Sequence, residues 1–149
     1  MKNTRTLIGT VALTAGLLLG GVACSSQDAA NAALDKAGVE ADISTDGHIP
    51  DGFPEEIPTP DLKLENGAAV EGIYTLRYTS DDPAADVAAY RQAVEATELI
   101  MGEDFTFDKA SGDYQGFMAS NEKYTLMASA YGPDAPGGGN YMAVVVTPV

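Results

Sequence analysis

Few residues of this sequence could carry out catalysis, and they stand apart from one another. His48 is the single histidine and Cys24 the single cysteine of the 149-residue chain. A histidine that acts as a base needs a rigid partner to orient its ring, whereas His48 stands in a segment rich in proline and glycine. We therefore predict an exposed loop histidine without a catalytic role. One histidine and one cysteine also make a zinc site unexpected.

An acidic segment in the first third of the chain has part of the pattern of a calcium-binding loop. Asp42, Ser44 and Asp46 stand at the first, third and fifth loop positions, and Gly47 follows at the sixth. The twelfth position should supply a bidentate glutamate but holds Phe53. We therefore predict a polar turn here, with no metal ion and no cofactor.

Carboxylates dominate the charge of the chain, which has 22 acidic and 8 basic residues and a net charge of −14. Three adjacent acid pairs occur, at 55–56, 81–82 and 103–104. Neighbouring side chains on a strand or loop point apart, whereas glycosidase-like catalysis needs two acids facing each other across a cleft. Negative charge also repels nucleic acid and anionic lipid. We therefore predict a protein that is not an enzyme and binds no nucleic acid.

The first 23 residues have the pattern of a secretory signal peptide, in which Lys2 and Arg5 precede an apolar run. The residues that follow this run resemble the lipobox of bacterial lipoproteins, with Gly21 where leucine usually stands. Ordinary cleavage after Ala23 is the alternative. A lone cysteine in an exported chain has no disulfide partner. We therefore predict a lipoprotein whose Cys24 carries the lipid anchor, palmitate included, on the extracytoplasmic face of the cell membrane.

The mature chain is predicted to comprise three parts. Residues 24–48 form the lipidated cysteine and an acidic tether, which includes an Ala-rich helical stretch and a possible short strand over 39–44. Residues 49–61 form a stiff proline-rich connector. Residues 62–149 form the folded domain, because most large apolar residues of the mature chain lie there.

The folded part is predicted to be an α+β domain. Residues 73–79 alternate like a strand, and Asp82 and Pro83 are typical of a helix start. That helix should run to about Glu98 and bury three residues at helical spacing, namely Val87, Tyr90 and Val94. Asn66 and Gly67 predict a turn, and four short strands follow the helix. We therefore expect one helix packed on an antiparallel sheet of about five to six strands.

One segment of the chain is similar to a known family. Residues 49–60 read Ile-Pro-Asp-Gly-Phe-Pro-Glu-Glu-Ile-Pro-Thr-Pro, which resembles a segment of small actinobacterial lipoproteins of uncharacterised function. An acidic stretch matches them too, through Gly38, Val39, Asp42, Ile43, Asp46 and Gly47. The resemblance is sharp only over 49–60, and it implies a lipid-anchored protein without implying an activity.

Tyrosines are the remaining candidates for a binding surface, since the chain has seven tyrosines and no tryptophan. Tyrosine provides contact area at a low cost in entropy, and we predict that Tyr124, Tyr131 and Tyr141 take part in such a surface. The leading hypothesis is an envelope lipoprotein that binds a protein or a wall component through an open sheet face or the 133–139 loop. The alternative is a carrier or sensor of a small apolar ligand held between helix and sheet.

Overall fold

A single antiparallel sheet of seven strands organises the part of the chain that the computed structural model describes, residues 27–107, 114–135 and 137–149. Its elements are α1 (Gln27–Lys36), β1 (Ala41–Ser44), β2 (Leu64–Val70), β3 (Ile73–Thr79), α2 (Pro83–Glu95), β4 (Ile100–Phe107), β5 (Tyr114–Ser120), β6 (Tyr124–Tyr131) and β7 (Tyr141–Pro148). The α+β class is confirmed. The prediction of five to six strands is too low, because β1 also pairs into the sheet. The predicted signal peptide and Cys24 lie outside the described residues.

The strand order is β1-β2-β3-β7-β6-β5-β4, with antiparallel pairing throughout. The strands from β4 to β7 form a meander, as predicted, and β7 then pairs with β3 in the middle of the sheet. Helix α2 connects β3 to β4 at the opposite edge and covers one face. On that face the central strand β7 buries Met142, Val144 and Val146, each with no exposed area.

Helix α2 begins as predicted, because Asp82 accepts a hydrogen bond from the backbone N–H of Ala85 at 3.1 Å and a proline follows it. The three residues predicted to be buried, Val87, Tyr90 and Val94, are buried against the sheet. The helix ends earlier than expected, at Glu95.

The turn predicted at Asn66 and Gly67 is wrong. Both residues lie within β2, and the chain reverses at Glu71 and Gly72, whose φ angles are 51° and 81°. Two successive positive φ angles suit a two-residue hairpin, because they match the twist of the flanking strands. Gly67 serves another purpose, since a Cβ there would lie 2.9 Å from Cδ of Pro50.

The segment predicted to be a tether contributes to the fold. Strand β1 pairs with β2, and its residues Ile43 and Ser44 are buried. Helix α1 packs against β1 and ends at Lys36, two residues before the predicted stop Gly38, whose φ is 74°. The described residues before 48 are therefore part of the folded unit and differ from a free tether.

The proline-rich connector also packs on the core. Ile57 is 2% exposed and belongs to the main hydrophobic cluster. The hydroxyl of Tyr90 donates to the carbonyl oxygen of Pro58 at 2.7 Å, and the ring of Phe53 meets the ring of Tyr74 edge-on. The folded unit thus includes residues on both sides of the boundary expected at 62.

Neither of the two helices in the described part of the chain combines the length and the apolar character needed to cross a membrane.

Candidate functional site

The turn around His48 brings a serine, an acid and a histidine together. Nδ1 of His48 lies against a carboxylate oxygen of Asp46 and 3.2 Å from the hydroxyl oxygen of Ser44. The same hydroxyl donates to Asp46 at 3.0 Å. The hydrogen bond from His48, followed by the one from Ser44, holds the pKa of Asp46 below its usual value.

This arrangement differs from a catalytic triad in two respects. In a triad one ring nitrogen of the histidine faces the acid and the other faces the nucleophile, whereas Nδ1 of His48 faces both partners here. Ser44 has no exposed area, so no substrate can reach its hydroxyl. The three side chains thus hold the turn in shape, and His48 is exposed as predicted.

The side-chain oxygens of the calcium-like segment have hydrogen-bond partners within the chain. A carboxylate oxygen of Asp42 accepts the backbone N–H of Asp51 at 2.9 Å, while Ser44 and Asp46 bond to each other. Within the described ranges, no group of three or more His, Cys, Asp and Glu side chains is placed to hold a metal ion. The predicted lack of a calcium site stays a prediction.

The three tyrosines predicted as a binding surface do not form one surface. Tyr124 and Tyr131 begin and end β6, an eight-residue strand. Because side chains alternate along a strand, these two point to opposite faces of the sheet. Their positions along the strand are about 23 Å apart. Tyr124 packs against the core beneath α2, whereas Tyr131 joins a cluster on the other face.

Tyr131 and Tyr141 instead form a stack with Arg77. The two tyrosine rings lie 4.4 Å apart and nearly parallel, and the Arg77 guanidinium lies 3.9 Å from the centre of the Tyr141 ring. Arg77 also donates to Glu65 at 2.7 Å and to the carbonyl oxygen of Gly138 at 3.0 Å. Tyr141 is only 2% exposed. This stack therefore fastens Gly138 to the sheet and leaves Tyr141 almost no surface for a partner.

A groove of about 1040 Å³ opens beside the end of α2. Three segments that are distant in sequence form its walls: 55–56 of the connector, 97–100 between α2 and β4, and 120–123 at the β5–β6 turn. The connector wall is held in place by the burial of Ile57 and by the bond from Tyr90 to Pro58. The groove is thus a consequence of the connector packing on the domain.

The groove combines carboxylates with an exposed apolar residue. Its four carboxylates belong to exposed residues, Glu55, Glu56, Glu98 and Glu122. Ile100, the first residue of the edge strand β4, is 72% exposed beside the buried Leu99. The one cation in the lining is Lys123, whose Nζ lies 3.0 Å from a carboxylate oxygen of Glu56.

The Lys123–Glu56 pair shifts the pKa of both groups. Its hydrogen bond lowers the pKa of Glu56 and raises the pKa of Lys123. The pair is exposed, with 71% of the Lys123 side chain and 39% of the Glu56 side chain accessible to solvent. Exposed pairs contribute little to stability, so the lysine can leave its partner at small cost.

No protein-family model matches this chain, and no curated protein is similar to it at a significant level.

Sequence reasoning did not single out Glu98, Ile100 or Lys123. It considered the acids at 55–56 as a catalytic pair only. No local pattern marks these residues, because the contacts that join them depend on how the connector folds back.

Proposed function

We propose that this chain is a membrane-anchored envelope lipoprotein, and that its domain is a non-enzymatic binding module whose binding surface is the groove beside α2. The observation that carries the proposal is the exposed Ile100 in a concave surface formed by three chain segments. Ligand sites are concave, with an apolar lining and a few polar groups that orient the ligand. The predicted tyrosine surface is less suitable, because Tyr141 is buried.

The position of α1 is compatible with a short lipid anchor. A lipid on Cys24 would stand three residues before Gln27, the first residue of α1, which packs against the edge strand β1. The groove reaches β4, six strand spacings from β1, which is about 29 Å. The proposed anchor and the proposed groove therefore belong to opposite edges of the sheet.

The alternative function, a carrier of an apolar ligand between helix and sheet, has less support. The side chains that meet there include Val94, Leu76 and Leu126, each with no exposed area. The open concave surface lies beside the end of α2 rather than beneath it. We therefore favour binding at the groove.

Two measurements on intact cells test this proposal. Replacement of Cys24 by Ala should block lipidation and lipoprotein-type processing. A photo-reactive amino acid at Ile100 should crosslink to a partner in the envelope, whereas the same group at Ala88, exposed on α2, should not. Processing of Cys24→Ala like that of the wild type, with both forms in the aqueous phase of a detergent phase separation, would refute the anchor. Equal crosslinking at both positions would refute the groove as the binding surface.

A further inference from the structure

We infer that the groove binds a basic peptide segment with an apolar side chain next to its cationic ones, and that Lys123 takes the place of a ligand cation in the free protein. This inference rests on the proposed function, because it names the partner class of the same groove.

The shape of the groove provides the apolar part of the site. Ile100 is exposed and lies next to Leu99, whose side chain continues into the core. An apolar side chain of the partner that covers Ile100 would remove both from water, which is favourable in proportion to the area buried. Single exposed apolar residues are common on surfaces, but this one lies within a concave lining.

The charges around the groove determine the sign of the charge that a partner should carry. Four glutamates surround one lysine, so an approaching cation meets an attractive potential and an anion a repulsive one. The whole chain carries a net charge of −14. The attraction of a cationic partner therefore also acts while the two molecules approach each other. Nucleic acid and anionic lipid are therefore disfavoured, and a basic peptide fits.

Lys123 shows where a ligand cation can bind. Its ammonium group donates to Glu56 at 3.0 Å across the groove, between the β5–β6 turn and the connector. The lowered pKa of Glu56 has this hydrogen bond as its main cause, so the carboxylate favours a cation at that position. A lysine or arginine of the partner can replace Lys123, because the exposed pair contributes little. Lys123 thus competes with the ligand from within the chain.

The test uses the full lipidated protein in non-ionic detergent, with a fluorescent peptide of alternating lysine and leucine as the probe. Anisotropy is measured against empty micelles as the blank. We expect saturable binding at one peptide per protein, with weaker binding of a peptide in which serine replaces leucine. Ile100→Ser should weaken binding by about tenfold, through loss of apolar contact. Glu98→Gln should weaken it by about 1.5- to 5-fold, as for an exposed ion pair.

Two further variants separate the site from the general charge of the protein. Lys123→Gln should strengthen binding by about 1.5- to 5-fold, because the internal competitor is removed. Asp134→Asn removes one carboxylate in the 132–139 loop, at the far end of β6 from the groove, and should leave the affinity nearly unchanged. Equal weakening by Asp134→Asn and Glu98→Gln would show diffuse attraction only and would overturn the inference.

The result also distinguishes this inference from the proposed function. An absence of saturable peptide binding, together with continued crosslinking at Ile100 in cells, would overturn the partner class and leave the binding module in place. Loss of both would overturn both. Equal binding of the leucine and serine peptides would show that apolar contact does not contribute to binding, and it would overturn the inference as stated.

Discussion

Asn31 binds both backbone polar groups of Ile43 with its side-chain amide. The backbone N–H of Ile43 donates to Oδ1 of Asn31 at 2.8 Å, and Nδ2 of Asn31 donates to the carbonyl oxygen of Ile43 at 3.3 Å. Strand β1 is an edge strand, and exposed edges are sites of unwanted pairing. The amide therefore acts as a short substitute for a neighbouring strand and attaches α1 to the sheet.

Replacement of Asn31 by Ala should detach α1 from β1. Each hydrogen bond contributes about 1 kcal/mol, so we expect the free energy of unfolding in urea to fall by about 1–2 kcal/mol. The amide of Ile43 should also exchange its hydrogen faster. Asn31→Asp is the matched control, because it keeps an acceptor for Ile43 and loses the donor. Its free energy of unfolding should lie between those of the wild type and Asn31→Ala. Unchanged exchange at Ile43 in Asn31→Ala would contradict this account.

Removal of residues 25–48 should lower the melting temperature of the domain. A protein that begins at Ile49 lacks β1, leaving the hydrogen-bonding edge of β2 without its partner, and it also loses the buried side chain of Ile43. Comparison with a protein that begins at Ser25, by calorimetry under the same conditions, gives the difference. Equal melting temperatures would restore the original prediction of a tether.

Tyr78 and Tyr90 should respond in opposite ways to loss of their hydroxyl groups. The Tyr78 hydroxyl is buried and has no hydrogen-bond partner among the described residues, whereas Tyr90 donates to Pro58. Burial raises the pKa of both. Tyr78→Phe should be neutral or stabilising by up to about 1–3 kcal/mol, and Tyr90→Phe should be destabilising by about 1 kcal/mol. Urea unfolding measures both, and a large loss in Tyr78→Phe would reveal a partner for its hydroxyl.

The small stabilising contribution of the Lys123–Glu56 pair should disappear in acid. Because the folded-state pKa of Glu56 is depressed from its ordinary value of 4.5, the stabilising effect of its pair with Lys123 is present above that value. It is lost as the pH falls through the lower folded-state pKa. The difference in urea midpoint between the wild type and Glu56→Gln should therefore shrink as the pH falls below 4.5.

Two control variants locate that effect. Lys123→Gln should reproduce the pH dependence of Glu56→Gln, because either substitution removes the same pair. Glu55→Gln removes the neighbouring carboxylate, which is not part of the pair. It should leave the pH dependence of the urea midpoint as in the wild type. A difference between wild type and Glu56→Gln that stays constant with pH would show that the pair does not contribute to stability.

Local features of the fold were predictable where the interactions that create them are close in sequence. Asp82 and Pro83 define the start of α2 through capping and a fixed φ, and Val87 and Tyr90 lie on one helical face. The turn at Glu71 and Gly72 was missed, because Asn-Gly is the stronger hairpin signal. Packing against Pro50 explains the glycine at 67, and this contact is not visible in the sequence.

The sequence by itself determined the α+β class, the helical face of α2, the exposed position of His48 and the acidic character of the chain. Only the tertiary structure decided that β1 and the connector belong to the folded unit, that Tyr124 and Tyr131 lie on opposite faces, and that a groove joins Ile100 to Lys123 and Glu56. The physical reason is that capping, alternation and charge act over a few residues. Strand pairing and burial join residues far apart in the chain, and their free energies depend on the whole fold.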